Sequence, residues 1–574
     1  MNRKQLSSRV RLLSVIIAIG SLILIVRMYQ IQVINSEYYL EQAESQYVHT
    51  KTDLYSRGSI LFSTHDGPPL SAAAIQSGYI LAANPKHFTT SAKFFCTSLQ
   101  KYLFDEIERC IERVSVPERS YIELASKINR EQADEIEDLN IDGALLYKNQ
   151  WRYYPGDSLA ARSIGFVGYA DDGTELRGKY GLERYYDDIL FQKRQVMSVN
   201  FFAELFSNLG EFVYRKDGRH QTGNIVTTLE PSVSRMLDSI LQKTNNDYSS
   251  KVTGAIIMNP HTGELIAMNA VPGFDLNDRS GATIDQFQNP LVENVYEFGS
   301  TIKALTMAAG LDSGAINPQS TYYDAGTVDF DGFTISNYDG KGRGTVPMQE
   351  ILNQSLNTGV SYIAQVMGKE EFRKYFLNYK LGSETGIDLP NEAFGLIDNL
   401  NSPRDVEYAT ASFGQGIAMT PIAITRALAS LANGGKLVTP HLAKRIEYDN
   451  GDVKEIRYPD GGRVLKVETS EEISRMLTIV VDEALRGGAA SLPHYSIAAK
   501  TGTAQIPDPI NGGYYEDKFL HSFFGYFPAY EPEFIVFMYT VEPQGVHYAS
   551  ETLTTPFMDI TRFLINYYSI PPDR

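Results

Sequence analysis

Three short stretches in the second half of the 574-residue chain hold the residue types needed for acyl transfer. They are Ser300-Thr301-Ile302-Lys303, Ser355-Leu356-Asn357 and Lys500-Thr501-Gly502, the last followed by Thr503. On a helix, residues three apart share a face, so Lys303 can hydrogen-bond the Ser300 hydroxyl and take its proton. That role needs a neutral amine. Desolvation and a nearby second cation both lower a lysine pKa, and Lys500 on a facing strand would supply the cation. Ser355 would then pass a proton to the leaving amine, while Asn357 orients the substrate amide with its carboxamide. Backbone N–H groups of Ser300 and Thr503 make the expected oxyanion hole. The hydroxyls of Thr501 and Thr503 suit a substrate carboxylate. The expected catalytic set is Ser300, Lys303, Ser355 and Lys500, with Asn357, Thr501, Gly502 and Thr503 on the substrate.

Each motif alone has an ordinary structural explanation. Ser300 fits a helix N-cap, Lys303 a solvated first-turn residue and Lys500-Thr501-Gly502 an edge strand. Chance matches also occur, at Ser98/Lys101 and at Ser198/Asn200. The signal lies in the conjunction: the three follow one another in order, Ser300 opens the apolar run STIKALTMAAGL, and Lys500 sits in a strand-like stretch. There is no GxSxG elbow, no HExxH and no CxxC, and nothing obliges one of the 9 histidines to be the base. The reading therefore calls for no metal and no cofactor.

The elements that must hold these residues imply an α+β fold. IVTTLEPSVSRMLDSIL reads as a strand entering a helix, with Val233, Met236, Leu237 and Ile240 at helical spacing. Two apolar runs flank Asn259-Pro260-His261-Thr262-Gly263, a hairpin signature. SIAAKTGTAQI, SFFGYFPAY and EFIVFMYTV add three strands near the C-terminus. Strands at both ends with helices between them require a sheet assembled from distant parts of the chain. Before residue 224 the texture is irregular, with acidic amphipathic stretches around residues 93–113 and 121–139. The expected domains are residues 34–223, a non-catalytic pedestal, and residues 224–574, the catalytic domain.

The N-terminus reads as an address. Leu12 to Val26 is an uncharged run that becomes a single transmembrane anchor over residues 12–33 if Arg11 and Arg27 snorkel. Arg3, Lys4, Arg9 and Arg11 precede it and no basic residue occupies positions 28–50, so residues 1–11 are expected in the cytoplasm and the remainder outside. No small-residue cleavage pattern marks it as a removable signal. The net charge of −17 argues against a nucleic-acid binder, which needs a basic footprint. The two cysteines, Cys96 and Cys110, exclude a disulfide-dense scaffold. On one unbroken helix they would lie about 21 Å apart, so a bridge requires a helix break near residues 103–105, and free thiols are the alternative.

With these residues in hand, the chain resembles the class B penicillin-binding proteins, membrane-anchored DD-transpeptidases of bacterial peptidoglycan synthesis. The likeness extends to TGAIIMNPHTGELIAMNAVPGFDLN, FGQGIAMTPIAITRALASLANGG, Arg57-Gly58-Ser59-Ile60, YYPGDSLAARSIGFVG and YGLERYYDDIL. It implies that Ser300 attacks the D-Ala-D-Ala end of a stem peptide and is the residue that β-lactams acylate. It further implies an acyl transfer to an acceptor amine, a pedestal domain, and a SEDS-family glycosyltransferase partner in the bacterial cytoplasmic membrane. Phe298 stands where the family usually has Pro, Ala499 and Ala489 where Gly and Thr are common, and Leu61-Phe62-Ser63-Thr64 replaces the usual continuation after Ile60. A DD-carboxypeptidase or β-lactamase would share the nucleophile and differ in deacylation. A β-lactam sensor or inactive scaffold is the non-enzyme alternative. Length and the plain KTGT lean toward a division role over elongation.

Overall fold

The strand FIVFMYTV, Phe534–Val541, is buried along its whole length, because both faces of the sheet to which it belongs are covered by helices. The computed structural model describes residues 19–22, 24, 26–30, 56–103, 106–116, 119–170, 176–192 and 222–574. The multidomain α+β class expected from the sequence is the class observed.

The larger of two units comprises residues 57–74, 153–192 and the described chain from 222 onward. Its centre is a five-stranded antiparallel sheet of β1 (Val252–Met258), β2 (Leu265–Val271), β3 (Ala498–Pro507), β4 (Tyr514–Phe527) and β5 (Phe534–Val541). Their order is β2-β1-β5-β4-β3, so segments far apart in the sequence meet where β1 pairs with β5, Ile256 opposite Phe537. The β1–β2 hairpin turns where predicted, with Gly263 at φ +83° donating to the Asn259 carbonyl.

Alternate strand residues serve opposite faces. Ile257, Val536 and Met538 pack with helix α1 (Pro231–Asp247) and the last helix, Thr554–Tyr567. Ile256, Phe537 and Tyr539 join a second core with α2 (Ile302–Ser313), α3 (Asn357–Met367) and the helices Pro421–Ala432 and Val467–Ile479. Helix α2 is apolar almost all round, which only a helix enclosed by others tolerates.

Compactness does not divide this chain at residue 224. Residues 57–74 and 153–192 cluster with the later chain. Within that unit, buried Arg57 pairs with Glu183 at 2.6 Å, and Arg162 donates to the carbonyls of Ala270, Pro272 and Gln288.

The smaller unit is built from residues 75–152. The stretch at 121–139 is a strand, Ile122–Ile128, followed by a helix, Arg130–Asp138, capped by Asn129. Cys96 and Cys110 lie on separate short helices, Ala92–Ser98 and Ile107–Val114, and are joined in a disulfide with Cα atoms 6.0 Å apart. The bridge therefore exists because the helix is interrupted between them. Closing a loop of this length stabilises a fold by roughly 3 kcal/mol. Cys96→Ala with Cys110→Ala is expected to lower this unit's stability by about that amount. Urea unfolding followed by Trp151, the only tryptophan and packed on Gly78 of the same unit, would measure it.

Of the anchor expected over residues 12–33, only positions 19–22, 24 and 26–30 are described, and the rest lies outside the described residues. Among the described residues, no helix is long and apolar enough to cross a membrane.

Candidate active site

The nucleophile candidate is presented by a tight turn rather than by the helix itself. Gly299–Thr301 forms a single 3-10 turn leading into α2, and the N-cap positions are Phe298 and Thr301, so Ser300 is not the cap residue. The 3-10 turn stacks residues three apart, which keeps Ser300 and Lys303 on one side of the chain.

Two glycines let this turn lie directly on β3. Gly299 adopts φ +59°, and a Cβ there would come within 2.6 Å of the Thr503 carbonyl oxygen. A Cβ on Gly502 would meet the Phe298 carbonyl oxygen and the Ser522 Oγ, each at 2.4 Å. The Ser522 hydroxyl also donates to the Phe298 carbonyl at 2.7 Å. Gly502 thus acts in the structure through close approach, not through an exposed surface. Because the Thr503 carbonyl faces Gly299, its N–H, on the same side of the strand, also faces the turn that carries Ser300.

Lys303 is fully buried, and its Nζ donates to the Ser355 carbonyl at 2.5 Å, the Ser355 hydroxyl at 3.2 Å and the Asn357 Oδ1 at 2.7 Å. Ser355 reaches this position in the left-handed region, φ +53°, a conformation uncommon for non-glycine residues. Asn357 then opens α3, and its Nδ2 donates to the Ser336 carbonyl at 2.9 Å. The carboxamide oxygen of Asn357 is thus committed to Lys303, leaving its second N–H for a ligand.

Burial and the neighbouring Lys500 push the Lys303 amine well below the usual lysine range. Burial lowers Lys500 to about 8. A neutral Lys303 has two N–H donors and one lone pair. The Ser355 carbonyl and Asn357 Oδ1 can take the donors, so the lone pair is open to an O–H of Ser355 or Ser300.

Ser300, Ser355, Asn357, Lys500, Thr501 and Thr503 all line one cleft of about 610 Å³. Lys303 and Gly502 lie behind its wall. The Thr503 hydroxyl accepts the Ala549 N–H at 3.1 Å and keeps its own proton to donate. Sequence reasoning passed over Tyr338 and Tyr548, whose rings lie 6.0 Å apart at the cleft. It also assigned no role to Phe413 and Gln415, which lie in the quoted FGQG stretch and line the cleft. Exposed tyrosines on loops give no periodic signal, so nothing in the sequence singled them out. Phe298 and Ala499, two of the departures from the family pattern, are wholly buried in the core. The Phe298 ring packs edge-on to Phe537 at 5.0 Å.

Residues 253–561 match the family described as the penicillin binding protein transpeptidase domain, and residues 56–204 match the penicillin-binding protein dimerisation domain. The chain is a class B penicillin-binding protein. This penicillin-binding protein is 31% identical over 442 residues to stage V sporulation protein D of Bacillus subtilis, across 75% of its own chain and 66% of that relative. It is 26% identical over 601 residues to a peptidoglycan D,D-transpeptidase FtsI homolog of Mesostigma viride, covering 100% of this chain and 98% of the other. Penicillin binding protein 2X of Streptococcus thermophilus shares its fold, with a TM-score of 0.72 at 21% identity over 89% of this chain and 79% of that one.

Proposed function

We propose that this protein is a peptidoglycan DD-transpeptidase that cross-links stem peptides through an acyl-enzyme on Ser300, acts in the bacterial division wall, and is a target of β-lactams. The observation that carries the reading is the enclosed Lys303 amine, depressed by burial and by Lys500 and aimed at the Ser355 and Asn357 oxygens beside a serine-lined cleft.

In this reading Lys303 takes the Ser300 proton as Oγ bonds to the penultimate D-Ala carbonyl carbon. The resulting oxyanion sits on the N–H groups of Ser300 and Thr503. Ser355 relays a proton from Lys303 to the departing D-Ala nitrogen as the C–N bond breaks. An acceptor amine then attacks the ester carbonyl carbon and loses its proton to Lys303, which returns it to Ser300 Oγ as the ester C–O bond breaks, restoring the serine hydroxyl and the neutral amine. Lys500, Thr501 and Thr503 hold the terminal carboxylate, the remaining N–H of Asn357 holds a substrate carbonyl, and Gly502 lets β3 carry both.

The proposal includes an anchor over residues 12–33 in the cytoplasmic membrane, with the catalytic domain outside. The apolar side chains of Ile19, Leu22, Leu24, Val26 and Met28 are all more than half exposed, which water does not favour and lipid does. Full-length protein is expected to sediment with membranes, and removal of residues 12–33 to release it to the soluble fraction. A SEDS-family glycosyltransferase is the proposed partner, on the family resemblance. Incubation with a fluorescent penicillin, followed by mass spectrometry, tests the chemistry: the adduct is expected on Ser300 and stable. Rapid release of hydrolysed drug would favour a β-lactamase instead.

A further inference from the structure

One carboxylate outside the reacting set holds the turn that presents Ser300. Glu297 lies three residues ahead of the nucleophile, and its side chain reaches two distant segments. Its Oε1 accepts the Gly416 N–H at 3.2 Å, and the Tyr514 hydroxyl donates to Oε2 at 3.0 Å. Gly416 ends the Phe413–Gly416 loop, whose Phe413 and Gln415 line the cleft with Ser300.

The same loop touches the turn a second time. Gly299 donates to the Gly414 carbonyl at 3.3 Å, and a Cβ on Gly414 would come within 2.4 Å of the Gly299 oxygen. On its far side the loop is held by Asn399, whose Nδ2 donates to the Gly416 carbonyl at 2.7 Å. Tyr514 begins β4, the strand that pairs with β3. Glu297 is thus the point where the turn, the loop and the sheet are joined.

We propose that Glu297 is a positioning residue that clamps the Phe413–Gly416 loop onto the nucleophile's turn, and that the clamp needs the carboxylate form. It touches no reacting atom. The inference rests on the reading of Ser300 as the acylated residue.

Burial raises the Glu297 carboxyl to about 7, with the Tyr514 and Gly416 hydrogen bonds opposing the rise. The loop itself, Phe413-Gly414-Gln415-Gly416, brings no charge. From β4 the facing group is Tyr514. From the helix Asp405–Ala411, Glu407 acts on Tyr514 and is paired with Arg404 at 3.4 Å. Lys500 and Arg486 are the cations lining the adjoining cleft, with Lys303 buried behind it, and Glu516 and His547 line the same cleft. A carboxylate accepts hydrogen bonds about twice as strongly as a neutral oxygen, so protonation loosens the clamp.

The test is the second-order rate of Ser300 acylation by a fluorescent penicillin from pH 5 to 9, in wild type, Glu297→Gln and Tyr514→Phe, with thermal melting to confirm folding. Wild type is expected to lose roughly 5-fold in rate as pH falls through 7, in addition to the lysine-dependent limb, since small misplacements of reacting groups cost at least that much. Glu297→Gln should lack the inflection near 7, run about 5-fold slower at pH 8 and keep the lysine limb. Tyr514→Phe removes a hydrogen bond that holds the carboxyl down, so the inflection should move to higher pH, a shift that a merely structural contact would not produce. An unchanged profile in Glu297→Gln, or an unmoved inflection in Tyr514→Phe, overturns the proposal. Absence of any Ser300 adduct in wild type would instead overturn the acyl-enzyme reading on which it rests.

Discussion

Ser300→Ala is expected to abolish covalent labelling by a fluorescent penicillin and to lower acyl transfer by about 10⁵-fold or more, as removal of a serine nucleophile does in other acyl-transfer enzymes. Substitution should leave the fold intact, because Phe298 and Thr301 hold the cap positions and the turn itself is set by Gly299. The other cleft hydroxyl of this cluster, Ser355, is held 3.2 Å from Lys303 Nζ in a left-handed backbone conformation that fixes where its oxygen lies. An adduct that moves to Ser355 in the alanine variant, or one that persists at the wild-type rate, would show that the roles are wrongly divided.

The second large effect belongs to Lys303. Lys303→Arg keeps a cation that cannot lose its proton, and Lys303→Met keeps the volume without an amine. Both are expected to slow acylation about 10³-fold, within the usual contribution of a positioned proton acceptor. If Lys303 served only as a charge, the arginine variant would retain most of the rate. Met leaves the Ser355 carbonyl and Asn357 Oδ1 without their donor, a cost of about 1–3 kcal/mol per buried group. Relief of a buried, desolvated amine offsets part of that cost, so thermal melting should move little beside the kinetic loss. Stopped-flow labelling of the wild type should accelerate with pH as the neutral amine fraction grows.

The sign for stability follows from the same lowering. A lysine whose folded pKa lies below its unfolded value near 10.5 binds fewer protons when folded, so stability rises with pH between the two values. For Lys500 that window runs from about 8 to 10.5.

Much of this architecture was legible in the order of residues. Apolar runs at 252–258 and 534–541 announce buried strands, and the spacing of Val233, Met236, Leu237 and Ile240 announces α1. The stretch at 121–139 was less legible, because a strand and a helix joined at Asn129 blend two periodicities in one acidic segment. The state of Cys96 and Cys110 could not be read from their spacing, since it depends on a break between two short helices. Glu297 was missed for a different reason: a single acid before an apolar turn has no pattern, and its partners Gly416 and Tyr514 are 119 and 217 residues away.

The primary structure was enough to single out hydroxyls and amines that the fold then brings to one cleft, because SxxK, SxN and KTG encode side-chain chemistry at short, helix- or strand-compatible spacings. It did not reveal that Asn357 spends its carbonyl oxygen on Lys303, that Gly502 serves by having no side chain, or that Phe298 points into the core. Those outcomes depend on which distant segments pack together. Packing contacts arise between residues far apart in the chain, where local propensity carries no information, and it is burial together with the neighbouring Lys500 that lowers the Lys303 amine below the usual lysine range.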